Sequence, residues 1–148
     1  MVKKKRMNPE KFLDTSYATS YAIALSSSAD DYHHKALVIA QQLKASKTPL
    51  ITTRAIILEI GNALSKQKYR SKLIKLLSSL EKDKMVTIIP LSETLYQKAF
   101  QLYCQRNDKN WGIVYCISFT VMGERRITEA LTTDIHFQQA GFRALLRD

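Results

Sequence analysis

Lys11-Phe12-Leu13-Asp14-Thr15-Ser16 decides how this chain is read. A short apolar run ends in a carboxylate, and two hydroxyl residues follow where a helix can be capped. Carboxylates are rarely buried without a partner, since even an unpaired neutral polar group loses roughly 2–7 kcal/mol on leaving water. The same pattern recurs twice. Glu59 is embedded in Ile56-Ile57-Leu58-Glu59-Ile60, and Asp134 ends Ala130-Leu131-Thr132-Thr133-Asp134. Three acids in apolar settings have one simple common explanation, a shared Mg²⁺ or Mn²⁺, because these ions take oxygen ligands.

Outward from this strand, the pattern alternates. Strands are predicted over 11–14, 50–52, 86–89, 130–133 and 144–146. Helices are predicted over 15–25, 29–47, 54–66, 71–82, 92–105 and around 113–122, with a helical turn over 136–140. Pro49 and Pro90 punctuate them, Ser26-Ser27-Ser28 is a break, and 107–110 is a polar turn. Inward stripes are read at Ala36, Ile39, Ala40 and Leu43; at Ile56, Ile60, Ala63 and Leu64; and at Tyr96, Ala99, Phe100 and Tyr103. Residues 1–9 read as a disordered basic tail and 10–148 as one domain. Alternating strands and helices imply an α/β layered fold with a mostly parallel sheet. Such sheets bind ligands beyond the carboxyl ends of their strands, near a topological switch point. Asp14 and Asp134 fall at strand ends and Glu59 on the helix after the second strand, so all three are placed toward one edge.

With 23 Lys+Arg against 13 Asp+Glu, the net charge of +10 favours a polyanionic partner, nucleic acid above all. Cys104 and Cys116 fit no zinc spacing with His33, His34 or His136, and read as reduced core thiols of a cytoplasmic protein. The basic start and the apolar Tyr17–Leu25 outline a signal peptide, but Asp14 interrupts it and Thr15, Ser16, Thr19 and Ser20 dilute it. No stretch is long enough to span a membrane. There is no phosphate-binding glycine loop and no nucleophile elbow.

Carboxylates crowded together need a counter-charge. A divalent ion supplies it, and can also acidify a bound water and hold a phosphate oxygen. Acid cluster, α/β sheet and basic surface together read as a nuclease. Blander roles stand beside this one: Asp14 as a helix cap, Glu59 paired with a lysine on its helix, and Asp134 as cap of the turn at Ile135. A DNA-binding or structural basic protein explains the charge but not the acids.

The stretches Phe12-Leu13-Asp14-Thr15-Ser16, Leu58-Glu59-Ile60-Gly61-Asn62-Ala63-Leu64, Asp108 to Val114, Cys116-Ile117-Ser118-Phe119 and Leu131 to Phe142 resemble PIN-domain proteins, specifically VapC-type toxins of toxin–antitoxin pairs. The resemblance runs from 11 to about 146. It implies a three-layer α/β/α fold, a Mg²⁺- or Mn²⁺-dependent endoribonuclease, an RNA substrate, a cognate antitoxin and a homodimer. Asp14, Glu59 and Asp134 match metal-holding acids, with Asn62, Ser118, Thr132 and Thr133 as supporting donors. Tyr115 departs from the pattern, which has Asp there. A phenol, with its reference pKa of about 10, is a poor Mg²⁺ ligand. Asp108 is the nearest acid upstream, but predicted turn and helix lie between the two, so it does not replace it without rearrangement. Two readings follow: a catalytically inactive PIN-like module that binds RNA or an antitoxin, or a toxin impaired by Tyr115. The intact motif around Tyr115 favours recent loss.

Overall fold

The computed structural model describes residues 9–26 and 31–147, with side chains resumed at 33. The basic tail up to residue 8, Ser27 and Ser28 of the serine break and the start of the second predicted helix lie outside the described residues, while Ser26 still belongs to the first helix. Five strands, β1 (Lys11–Leu13), β2 (Leu50–Thr53), β3 (Val86–Ile89), β4 (Glu129–Leu131) and β5 (Arg143–Ala144), form one parallel sheet in the order β3-β2-β1-β4-β5. The helices are α1 (Thr15–Ser26), α2 (Asp31–Ser46), α3 (Arg54–Ala63), α4 (Gln67–Lys82), α5 (Glu93–Gln105), α6 (Ile113–Arg125) and α7 (Ile135–Gln139).

The strand order fixes the layers. β1 to β2 and β2 to β3 step one way across the sheet, while β3 to β4 and β4 to β5 step back. Right-handed crossovers then put α1 to α4 on one face and α5 to α7 on the other. Packing agrees: α1 lies against α2, α3 and α4, and α5 against α6. Covered on both faces, the strands carry side chains such as Phe12, Ile51, Ala130 and Leu131, all buried. Buried Thr52 is satisfied because its hydroxyl donates to the Leu13 carbonyl at 2.9 Å. Phe137 of α7 is buried edge-on to Phe119 of α6, centroids 5.1 Å apart, and tilted on Phe12 at 6.2 Å.

Capping follows the sequence locally. Thr53 accepts from the Ile56 N–H at the start of α3, and Ser92 from the Leu95 N–H at the start of α5. Gly141, at φ +92°, turns the chain after α7 into β5. The stretch Tyr17–Leu25 forms most of α1, with Tyr17, Ala18, Ala22 and Ala24 buried. Among the described residues no helix is long and apolar enough to cross a membrane.

Several expectations are corrected. On α5 the inward stripe is Leu95 and Ala99, with Leu102 half-buried, while Tyr96, Phe100 and Tyr103 are 39%, 44% and 47% exposed and stack along the surface. The two stripes share the i, i+4, i+7 spacing and differ by one residue. The aliphatic one, with its small Ala99, packs against α6. Cys104 is exposed rather than a core thiol, and only Cys116 is buried. The helix predicted over 54–66 ends at Ala63, which is exposed, and α4 begins at Gln67 rather than Ser71.

Candidate active site

β1 and β4 are neighbours whose chains leave in opposite directions, so the switch point lies between them. Asp14 directly follows β1, and Asp134 lies three residues beyond β4. Glu59 comes from the middle of α3, and Tyr115 and Ser118 from the first turns of α6. These side chains, with Thr15, Ser16, Ile56 and Val114, line one open cavity of ≈ 240 Å³.

Asp14 is 5% exposed. Its Oδ2 accepts from Thr132 Oγ1 at 2.7 Å and Ser16 Oγ at 3.1 Å. Burial pushes its carboxyl above the ordinary carboxylate range. The bonds from Thr132, Thr15 and Ser16 offset this only in part, and the charge of Asp134 adds to the rise. Thr132 Oγ1 also accepts from the Asp134 N–H at 3.0 Å, and Ser16 Oγ from the Thr133 N–H at 3.0 Å. The two strand ends are thus stitched by hydroxyls. Glu59 Oε1 accepts from Thr15 Oγ1 at 2.8 Å.

Asp134 sits in a different setting. Its Oδ1 caps α7 by accepting the His136 N–H at 2.9 Å, and it faces His136 Nδ1. Its Oδ2 accepts the Tyr115 hydroxyl. Burial alone would raise its carboxyl, but the bonds from Tyr115 and His136 outweigh it and hold the group below the ordinary range. For Tyr115 burial acts first. Together with the bond to Asp134 and the nearby charges of Asp134, Asp14 and Glu59, it pushes the phenol far above its usual range, so the group remains a proton donor. The ring stacks on His136 at 4.7 Å and on Phe119 at 6.1 Å, and meets Phe137 edge-on.

The oxygen-rich lining has the donor chemistry of a hard divalent ion, yet the arrangement does not fit one. Among the described residues, no three carboxylate, imidazole or thiolate groups are placed to hold a single ion. The phenol occupies one oxygen of Asp134, and hydroxyls occupy Asp14 Oδ2 and Glu59 Oε1.

Asp14, Glu59 and Asp134 are brought together at the edge where the sequence pattern placed them, and Tyr115 and Ser118 line the same cavity. Thr132 is buried behind Asp14. Thr133 contributes its N–H to Ser16 and its carbonyl to Arg147, and does not line the cavity. Asn62 is exposed on α3 and is also absent from the lining. Asp108 lies in the exposed turn, bonded to Arg106. Of the bland roles, the cap is realised at Asp134, while Glu59 takes a hydroxyl from α1 instead of a lysine. Sequence reasoning missed Thr15, Ser16 and His136. A run of hydroxyls directly after an acid at a strand end was the available signal for the first two.

An all-parallel five-stranded sheet with acids at its switch point has the PIN-like fold. The solved structure of VapC20 from Mycobacterium tuberculosis, described as a sarcin–ricin loop cleaving toxin, matches 88% of this chain and 95% of its own at a TM-score of 0.71 and 22% identity. At that identity the likeness is one of fold. No protein-family model matches the chain, and no curated protein does.

Proposed function

We propose that this chain is a toxin-type endoribonuclease whose acid cluster is blocked at Asp134 by Tyr115. The observation that carries the reading is the Tyr115 hydroxyl seated on Asp134 inside the cavity that Asp14 and Glu59 also line. The fold of the VapC20 toxin supports the class, and the basic charge supports an RNA substrate. In this chain the phenol takes the acceptor that a fourth carboxylate would leave open. Mg²⁺ or Mn²⁺ belongs to the reading only once an acid stands at position 115. The reading carries with it a cognate antitoxin, a homodimer and a cytoplasmic location. Light scattering of the purified chain tests the dimer.

The experiment is Mg²⁺- and Mn²⁺-dependent cleavage of structured RNAs, a sarcin–ricin loop hairpin among them, by this chain, by Tyr115→Asp and by Tyr115→Asp combined with Asp14→Asn. Cleavage by Tyr115→Asp alone is expected. A folded Tyr115→Asp protein that neither cuts RNA nor binds Mn²⁺ would sink the reading.

One observation favours a second reading, an inactive PIN-like module that binds RNA or an antitoxin. Tyr115 is packed into the ring cluster of His136, Phe119 and Phe137, as an established part of a core would be. RNA binding without cleavage in every variant supports that module.

A further inference from the structure

We propose that the outward face of α4 is a phosphate-binding track for RNA. The inference rests on the RNA reading above and places part of that substrate away from the acid pocket. Lys68, Lys72, Lys75 and Lys82 recur at i, i+4, i+7 and i+14, so they share one face of α4. At ~1.5 Å per residue that line extends over about 21 Å. Ser71, Ser78 and Ser79 are exposed among them. No acid occurs between Ile60 and Leu80, and Glu81, the first after them, is turned to Arg54.

Lys11, Arg54, Lys98, Arg106, Arg125 and Arg143 each meet a carboxylate. Among the described residues, none of the four α4 lysines forms an ion pair. Among the described residues Lys44 and Lys84 also form none; what sets α4 apart is that four such lysines share one helix face. Lys68 Nζ instead lies 5.3 Å from the centroid of the Tyr69 ring. Four like charges on one helix face repel one another, and a polyanion relieves that repulsion.

The chemistry of the face selects among anionic partners. Lysines and serines are among the side chains that contact phosphates. An amphipathic membrane helix puts its apolar face into lipid, but here Leu73 and Leu80 are already buried in the domain, with Leu76 and Leu77 packed on it. A protein partner needs an apolar or aromatic anchor near the centre of its interface. Here Tyr69, beside Lys68, is packed on the core, and the exposed Ile74 sits about a quarter turn from the lysine line.

The test is fluorescence anisotropy of a fluorescein-labelled 20-nucleotide single-stranded RNA with the full chain in EDTA, across a KCl series. The triple variant Lys68→Gln/Lys72→Gln/Lys75→Gln is compared with Lys44→Gln/Lys84→Gln/Lys109→Gln. Each lowers the formal +10 by three charges. The α4 triple is expected to bind at least tenfold more weakly, with a salt slope smaller by about 2, from ~0.7 per phosphate contact. The control is expected to change less than threefold, and Lys68→Arg/Lys72→Arg/Lys75→Arg to retain binding. Equal losses in the two Gln triples, or none in either, overturn the track. So does a loss confined to phosphatidylserine vesicles. An unaltered chain that binds no RNA at low salt overturns the track and the RNA reading together. Failure of Tyr115→Asp to cut while the α4 triple loses binding overturns the cleavage reading alone.

Discussion

Asp14 and Asp134 follow neighbouring parallel strands and line the same cavity, yet their carboxyl groups are displaced in opposite directions. Asp14 is the more deeply buried, and its hydroxyl donors do not compensate for lost water. Asp134 is less buried and has a helix N-terminus, an imidazole and a phenol arranged around it. One end of the switch point therefore holds a carboxylate under tension and the other a carboxylate at rest. Tyr115 supplies much of that rest. It acts on one half of the pocket and leaves the other half, at Asp14, with a carboxyl whose charged form is disfavoured first by burial.

The largest expected effect comes from removing that asymmetry. Tyr115→Asp replaces a donor to Asp134 with a repelling carboxylate, so both strand-end acids should then be short of counter-charge. RNA cleavage in Mn²⁺ is expected to rise about 10²-fold or more over the starting chain, the scale of a single preorganised electrostatic group. Without metal, the variant is expected to melt lower, because the stack on His136 and Phe119 is lost. Thermal melts with and without Mn²⁺ check this. A variant indifferent to the ion would break the comparison.

Thr132 joins the two halves, donating to Asp14 and accepting from the Asp134 N–H. Thr132→Val keeps the shape and removes these two bonds and the 3.0 Å bond with Ser16 Oγ, leaving buried Asp14 with one fewer donor. A loss of about 1–3 kcal/mol by denaturant unfolding is expected, the cost of unsatisfied buried polar groups.

Neutralising the acids one at a time sharpens the contrast further. A raised carboxyl such as that of Asp14 costs stability at pH above its folded value, and the cost vanishes as pH falls to the unfolded value. Asp14→Asn should thus raise Tm at pH 7 by about 2–4 °C, as functional-site relief commonly does. The gain should shrink as pH falls toward the ordinary carboxylate range. The lowered carboxyl of Asp134 contributes stability above its unfolded value, lost as pH falls through its folded value. Asp134→Asn should therefore lower Tm at pH 7. Shifts of the same sign in the two variants, read by calorimetry across pH 3–7, would contradict the opposition.

The sequence disclosed the layout of this pocket better than its contacts. Acids at strand ends can be read because a strand's end and its successor helix are local features, and parallel topology gathers such ends at one edge. Asp14, Glu59 and Asp134 meet for that reason. Which donors reach them is decided by side-chain direction across elements far apart in the chain. The bond from Thr15 to Glu59 crosses 44 positions and that from Thr132 to Asp14 crosses 118. The departure at Tyr115 was legible as a change of residue type, but its bond to Asp134 was not. The same gap explains α5, where two i, i+4, i+7 stripes compete and only the shape of α6 chooses Leu95 and Ala99 over the aromatic ladder.

Ser118 offers the smallest effect and the closest view of the cavity. Its hydroxyl is buried, lines the pocket, and has no hydrogen-bond partner among the described residues. A polar group in that state costs stability relative to a methyl of similar size, so Ser118→Ala is expected to be neutral or stabilising by up to about 1 kcal/mol. In the Tyr115→Asp background the sign should reverse if the cavity then takes water or an ion's hydration shell, because the hydroxyl gains a partner there. Stability is read by chemical denaturation in both backgrounds. A destabilising Ser118→Ala in the starting chain would mean that the cavity is already hydrated around the Tyr115–Asp134 pair, and that the phenol seals it less completely than its bond implies.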